Sequence, residues 1–250
     1  MKIARINSVF VVALLALLLA PSGLAQSIAI SLGQFQSADE NVRMEAFYRI
    51  LGPVLGERLN MGENVSKLLR DHQSERQIIV PALIDLLRRE NIRVLSPFGE
   101  KFSNYYGDLI WCIATLHDAR SADALLGAVK TGNLATDGLA VLGEEALPVT
   151  LPALDSNDSG VRNGVLRVME KMVNPSAQSP LGIAATAQVR VALLRGVGDE
   201  DDFNRRVAIR ALEPFTDREV RKVVLDRSTA DSSPLVRKAA EDWLQKNPSQ

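Results

Sequence analysis

Cysteine is nearly absent from this chain: Cys112 is the only one in 250 residues. No intramolecular disulfide is possible, so stability has to come from packing. Cys112 lies in the apolar stretch "DLIWCIATL" with no cationic neighbour to lower its pKa, which predicts a buried, inert thiol. Histidine occurs twice, as His72 and His117, a meagre supply for a metal site. Aromatic residues make up 5% of the chain, while Leu, Ala and Val abound. That balance favours helices packed through aliphatic side chains over a β-sandwich rich in Tyr and Thr. The G-x-S-x-G elbow, the G-x-G-x-x-G loop, the P-loop and the alternating acids of an EF-hand are all missing, as is any His-Glu pair.

A basic excess is missing too. Without Lys2 and Arg5, 27 basic groups stand against 30 acidic ones. Nucleic acid is therefore not an expected partner, because its binding rests on neutralising phosphates with a basic face. What remains is ordinary globular material, 46% hydrophobic and 24% charged.

The N-terminal stretch "MKIARINSVFVVALLALLLAPSGLAQS" places Lys2 and Arg5 before an apolar run, Val9 to Ala20, followed by Pro21 and small residues. This order predicts a secretory signal peptide over residues 1–25, cleaved between Ala25 and Gln26. The run is shorter than the ~17 to 25 residues that span a bilayer. Retention as an anchor is the alternative, since no charged residue stands between Arg5 and Asp39. The expected location is periplasmic or extracellular, with membrane contact only if the segment is uncleaved.

Past a linker over 26–38, the chain repeats itself on the pattern V-R-x-x-A-x-x-A-L: "VRMEAFYRI" from Val42, "VRNGVLRVM" from Val161, "NRRVAIRAL" from Asn204 and "VRKAAEDWL" from Val236. The fifth place holds Ala46, Val165, Ala208 and Ala240, and the ninth Ile50, Met169, Leu212 and Leu244. This spacing puts one apolar stripe on a helix. "YYGDLIWCI" from Tyr105 and "LATDGLAVL" from Leu134 fit the register more loosely. Second helices are expected between the repeats, at Ile78–Glu90, Ser121–Lys130, Ala146–Asp155, Ala187–Val197 and Arg218–Arg227, with Pro81 and Pro148 near helix starts. Segments 52–77 and 91–104 depart from the pattern, which predicts an inserted helix or long loop in each.

"WCIATLHDARSADALLGAV" and "RALEPFTDREVRKVVL" resemble the HEAT-repeat family in its short bacterial form. The resemblance implies an all-α fold over 39–246, an α-solenoid of stacked antiparallel helix pairs, with a tail at 247–250. It implies a scaffold and not a reaction.

Three clusters invite a chemical reading. His117-Asp118 with His72 is the skeleton of a metal-assisted hydrolase, the alternative class of function. Asp118, however, stands where Asp217 stands in "FTDREV", as expected of a helix cap; His117 has no repeat counterpart. "GDEDDF", residues 198–203, suits a helix N-terminus through capping and the macrodipole. Arg43, Arg162, Arg205 and Arg237 share one repeat position. They form either a basic ladder for an anionic ligand or, the reading adopted, bonds to acids and carbonyls between repeats, with Asp39, Asp158, Asp202 and Asp231 as the neighbouring acids.

The expectation is an exported, non-catalytic protein–protein interaction scaffold, monomeric or weakly associating, with no cofactor and no metal. A structural subunit of an envelope assembly that keeps its N-terminal segment is a third option. The protein partner would meet a concave second-helix surface through residues such as Arg190, Arg195, Arg221 and Lys222.

Overall fold

The computed structural model describes residues 30–51, 73–95 and 103–248. Eleven α-helices run from Glu40 to Lys246, residues 30–34 are helical as well, and none of the described residues is in a strand. None of the helices is long and apolar enough to cross a membrane. The signal segment with its Ala25–Gln26 junction, His72, most of the 52–77 segment and half of the 91–104 segment lie outside the described residues. The chain divides into two compact units, up to Leu116 and from His117.

The first unit contains α1 (Glu40–Leu51), α2 (Gln73–Val94) and α3 (Asn104–Thr115). Its core is aliphatic on α2, where Ile79, Leu83, Leu86 and Leu87 are buried. It is aromatic between α1 and α3, where the Phe47 ring meets Tyr105 edge-on at 5.5 Å. Two polar bonds tie the same helices: Tyr48 Oη donates to Asp108 at 2.6 Å and Tyr106 Oη to Asn91 at 2.6 Å. The inward positions of the repeat register, Ala46, Ile50, Leu109 and Ile113, are all buried.

Pro81 departs from the expected helix start. It sits inside α2, which begins at Gln73. The apolar stripe from Ile78 marks where the helix becomes buried, while the backbone helix starts before it, in the polar run "QSERQ".

The second unit alternates two kinds of helix. One layer holds α5 (Asn133–Leu142), α7 (Ser159–Met172), α9 (Asp202–Ala211) and α11 (Pro234–Lys246). These pack in sequence, α5 on α7, α7 on α9 and α9 on α11. The other holds α4 (Ala122–Gly127), α6 (Leu147–Ala153), α8 (Ile183–Gly196) and α10 (Arg218–Ala230), with α4 against α6 and α6 against α8. Short turns join the layers. Val165, Ala208 and Ala240 at the fifth repeat position, with Met169 and Leu212 at the ninth, are buried, and Leu244 is half-buried. Pro148 falls in the first turn of α6, as expected.

Aspartates start the helices. Asp158, Asp201 and Asp217 each accept two backbone N–H bonds at the heads of α7, α9 and α10. Two glycines set how closely the helices approach. A Cβ on Gly164 would lie 2.6 Å from Val129 Cγ2 and 2.9 Å from the Val129 carbonyl, and one on Gly196 2.7 Å from Leu166. Nothing larger than hydrogen fits at either position without movement.

Candidate interaction surface

The repeat-position arginines are structural. Each aims Nη1 at carbonyls five and six residues upstream: Arg43 at Ser37 and Ala38, Arg205 at Asp199 and Glu200, Arg237 at Asp231 and Ser232, and Arg162 at Ser156 alone. Nε and Nη2 then grip a carboxylate beyond. Arg43, fully buried, takes Glu90. Arg162 takes Asp199 at 2.8 and 2.9 Å, with Glu200 at 2.9 Å. Arg205 takes Asp231 at 2.9 and 2.8 Å. In the second unit each link feeds the next, because Asp199 offers its carboxylate to Arg162 and its carbonyl to Arg205. Arg237 holds its two carbonyls, but no carboxylate among the described residues meets its Nε.

Burial pushes the Asp199 and Asp231 carboxyls up. The hydrogen bonds from Arg162 and Arg205, the backbone amides of Asp201 and Ser233, and the arginine charges outweigh burial and hold both below the ordinary carboxylate range. Arg162 and Arg205 are raised, first by those same side-chain bonds.

The expectation that these arginines bond acids and carbonyls therefore holds, with a correction to the acids. Of the four named, only Asp231 receives a ladder arginine. Asp39 accepts the Asn41 amide and Asp202 the Ser233 hydroxyl. Asp158 caps α7 and pairs with Lys130 at 2.6 Å. In the second unit the pairing acid belongs to the turn before the next repeat helix, not to the arginine's own helix start, while Arg43 takes an acid within α2.

"GDEDDF" is accounted for in the same way: Asp199 and Glu200 serve Arg162, Asp201 caps α9, and Asp202 takes Ser233. Asp118 caps the 3₁₀ turn Ala119–Ser121, accepting the Arg120 amide, and pairs with the Arg120 guanidinium at 2.7 Å. His117, exposed, has a backbone φ of 48°. It occupies a left-handed turn position between α3 and that cap, a conformation in which His is enriched among non-glycine residues. This is its missing repeat reason. No group of three His, Cys, Asp or Glu among the described residues could hold a metal ion. Cys112 is buried, which pushes its thiol up to about 12.

The four proposed contact residues all lie in the second-helix layer and are engaged within the chain. Arg190 on α8 reaches Asp217 and Glu219 at 2.7 Å each. Arg221 on α10 donates to the Asn247 carbonyl and lies 5.8 Å from the Trp243 ring. Lys222 pairs with Asp226 one turn on, both exposed. Arg195 pairs with Asp155 and borders a cleft of about 440 Å³ between α6 and α8.

That cleft is the apolar feature of this layer. Leu151, Leu154, Ala187, Val191 and Ala192 line it, and Val191 is 62% exposed. The residue was visible in the sequence as one apolar group too many. Val189, Ala192, Leu193 and Gly196 make the buried stripe of α8, and Val191 falls outside it. Ile183, at the head of the same helix, is almost fully exposed.

In the second unit two helix layers, with ladder arginines on α7, α9 and α11, decide the architecture. The fold is an all-α repeat of paired helices. No family model matches the chain, and no curated protein matches it by sequence. Among solved structures it is similar to an archaeal HEAT-like repeats protein from Thermococcus onnurineus NA1, at 13% identity and a TM-score of 0.45, over 96% of this chain and 92% of that one. It is also similar to an engineered protein at 14% identity and a TM-score of 0.42, over 88% of this chain and 95% of that one.

Proposed function

We infer that this chain is an exported, non-catalytic interaction module that recognises a protein partner by shape on its second-helix layer. The observation that carries the reading is the α6–α8 cleft. A valine that the core does not need is displayed there among leucines and alanines, with the Arg195–Asp155 pair at the rim. An apolar centre bounded by charged groups is the anatomy of a protein-binding patch. Arg190, Arg221 and Lys222 extend the polar surround along α8 and α10. Export rests on the N-terminal segment, with cleavage between Ala25 and Gln26.

Affinity capture from an envelope extract with the full chain and with Val191→Asp tests the site. A partner retained by the first and lost by the second, at unchanged helicity, is the expected result. Equal capture by both overturns the assignment. Mass spectrometry of the mature N-terminus tests export: a chain starting at Gln26 supports it, and an intact Met1 in the membrane fraction makes the segment an anchor.

A further inference from the structure

The other helix layer carries a second cleft, of about 620 Å³, between α9 and α11. Its charges do not cancel. Lys246 takes Glu213 at 2.9 Å and Lys238 takes Asp242 at 2.8 Å, so both carboxylates lining the cleft are occupied. The two arginines keep donors to spare. Arg206 makes no hydrogen bond with any described residue, and its buried Nε has no acceptor. Arg210, 47% exposed on its side chain, reaches only Glu170, at 3.4 Å.

Arg206 and Arg210 stand four residues apart on α9. Residues at that spacing are neighbours on one helix face, where like charges repel. The Arg206 guanidinium lies 4.6 Å from the Phe203 ring, and Arg167 of α7 lies 5.7 Å from the same ring. Stacking on an aromatic face holds a guanidinium in place while leaving its in-plane donors open. Beside these cations, Leu235 is 58% exposed and the nearly buried Trp243 ring contributes to the lining.

We propose that the α9–α11 cleft binds an acidic protein segment, its carboxylates on Arg206 and Arg210 and an apolar side chain against Leu235 and Trp243. Guanidinium groups meet carboxylates through paired N–H donors. An i, i+4 pair of arginines matches two acidic side chains one helical turn apart, or on alternate residues of an extended strand. The site belongs to the first-helix layer, so it stands independently of the Val191 cleft.

Fluorescence anisotropy with the full chain tests this, using labelled peptides built on a Glu-Glu-Leu-Glu-Glu core, the same core with Lys for Glu, and the same core with Gly for Leu. The glutamate peptide is expected to bind saturably and to weaken with salt. The lysine peptide should not bind, and the glycine peptide should bind less tightly. Arg206→Gln/Arg210→Gln, which keeps good helix formers on α9, should weaken binding on the order of tenfold or more through lost charge-assisted bonds. Leu235→Ser should weaken it less, and Val191→Asp should leave it unchanged. Three results overturn the proposal: no saturable binding of the glutamate peptide, equal binding by the double variant at native helicity, or full displacement by inorganic phosphate at matched ionic strength, which makes the cleft a simple anion site.

Discussion

Removing the Asp231 side chain is the sharpest perturbation of the ladder. The carboxylate is 1% exposed and takes both forks of Arg205, itself 10% exposed. It also accepts the Ser233 amide at 2.9 Å and Arg227 at 3.3 Å. Asp231→Ala leaves Arg205 Nε and Nη2 charged, buried and without acceptors. Breaking a buried pair from one side costs about 3–5 kcal/mol. With a urea m-value of about 2–3 kcal/mol/M, the midpoint should fall by about 1–2 M. Trp243 fluorescence in a Trp111→Phe background follows this end of the chain alone, since these are the only tryptophans. The loss should belong to the pair: Arg205→Met/Asp231→Leu should recover more than half of it, because an apolar pair avoids desolvating two ions. A loss below about 1 kcal/mol, the scale of an exposed ion pair, would refute the reasoning. So would additive costs for Arg205→Ala and Asp231→Ala in a double-mutant cycle.

Other expectations follow from the same contacts. Because Asp199 and Asp231 are depressed in the folded state, their stabilisation is complete above the unfolded aspartate value of about 4 and is lost as pH falls through the lower folded values. Chemical denaturation between neutral pH and acid should show stability dropping below about pH 4, with a shallower fall in Asp199→Asn/Asp231→Asn. Gly164→Ala should destabilise by about 1–3 kcal/mol, since a methyl against the Val129 carbonyl outweighs the gain in helix propensity; a rise in thermal midpoint would contradict this. His117→Gly should be neutral or stabilising by up to about 1 kcal/mol at a positive φ, whereas His117→Val should destabilise, both read by urea titration. With its thiol at about 12, native Cys112 should resist iodoacetamide at pH 8 and react only after unfolding.

The helix layers were legible because a packed stripe constrains every third or fourth residue. The fifth and ninth positions of the register turned out buried, or half-buried at Leu244, in each repeat compared. The ladder was half legible. Its arginines repeat visibly, but their acids lie 37 residues on for Arg162 and 26 for Arg205, beyond any local window, so nearer capping aspartates stood in for them. A signal was present nonetheless. Ala135 replaces the arginine in the repeat before Arg162, and Ser156 stands where the matching acid would be. Arginine and acid are thus absent together. Pro81 misled because burial and helicity begin at different residues of α2. The clefts were least legible, because a side chain that lies off the packed stripe, such as the exposed Val191 or the half-buried Arg206, answers to no core geometry and shows only as a departure from the stripe.

The proposed recognition of a protein through the second-helix cleft is tested by placing a photo-crosslinking amino acid at Val191 in cells producing the full chain, with Asp137 on α5 as the control site. A discrete crosslinked species of defined mass is expected from position 191, absent from position 137 and outcompeted by excess unlabelled chain. The same adducts from both positions, or none from 191, would contradict it.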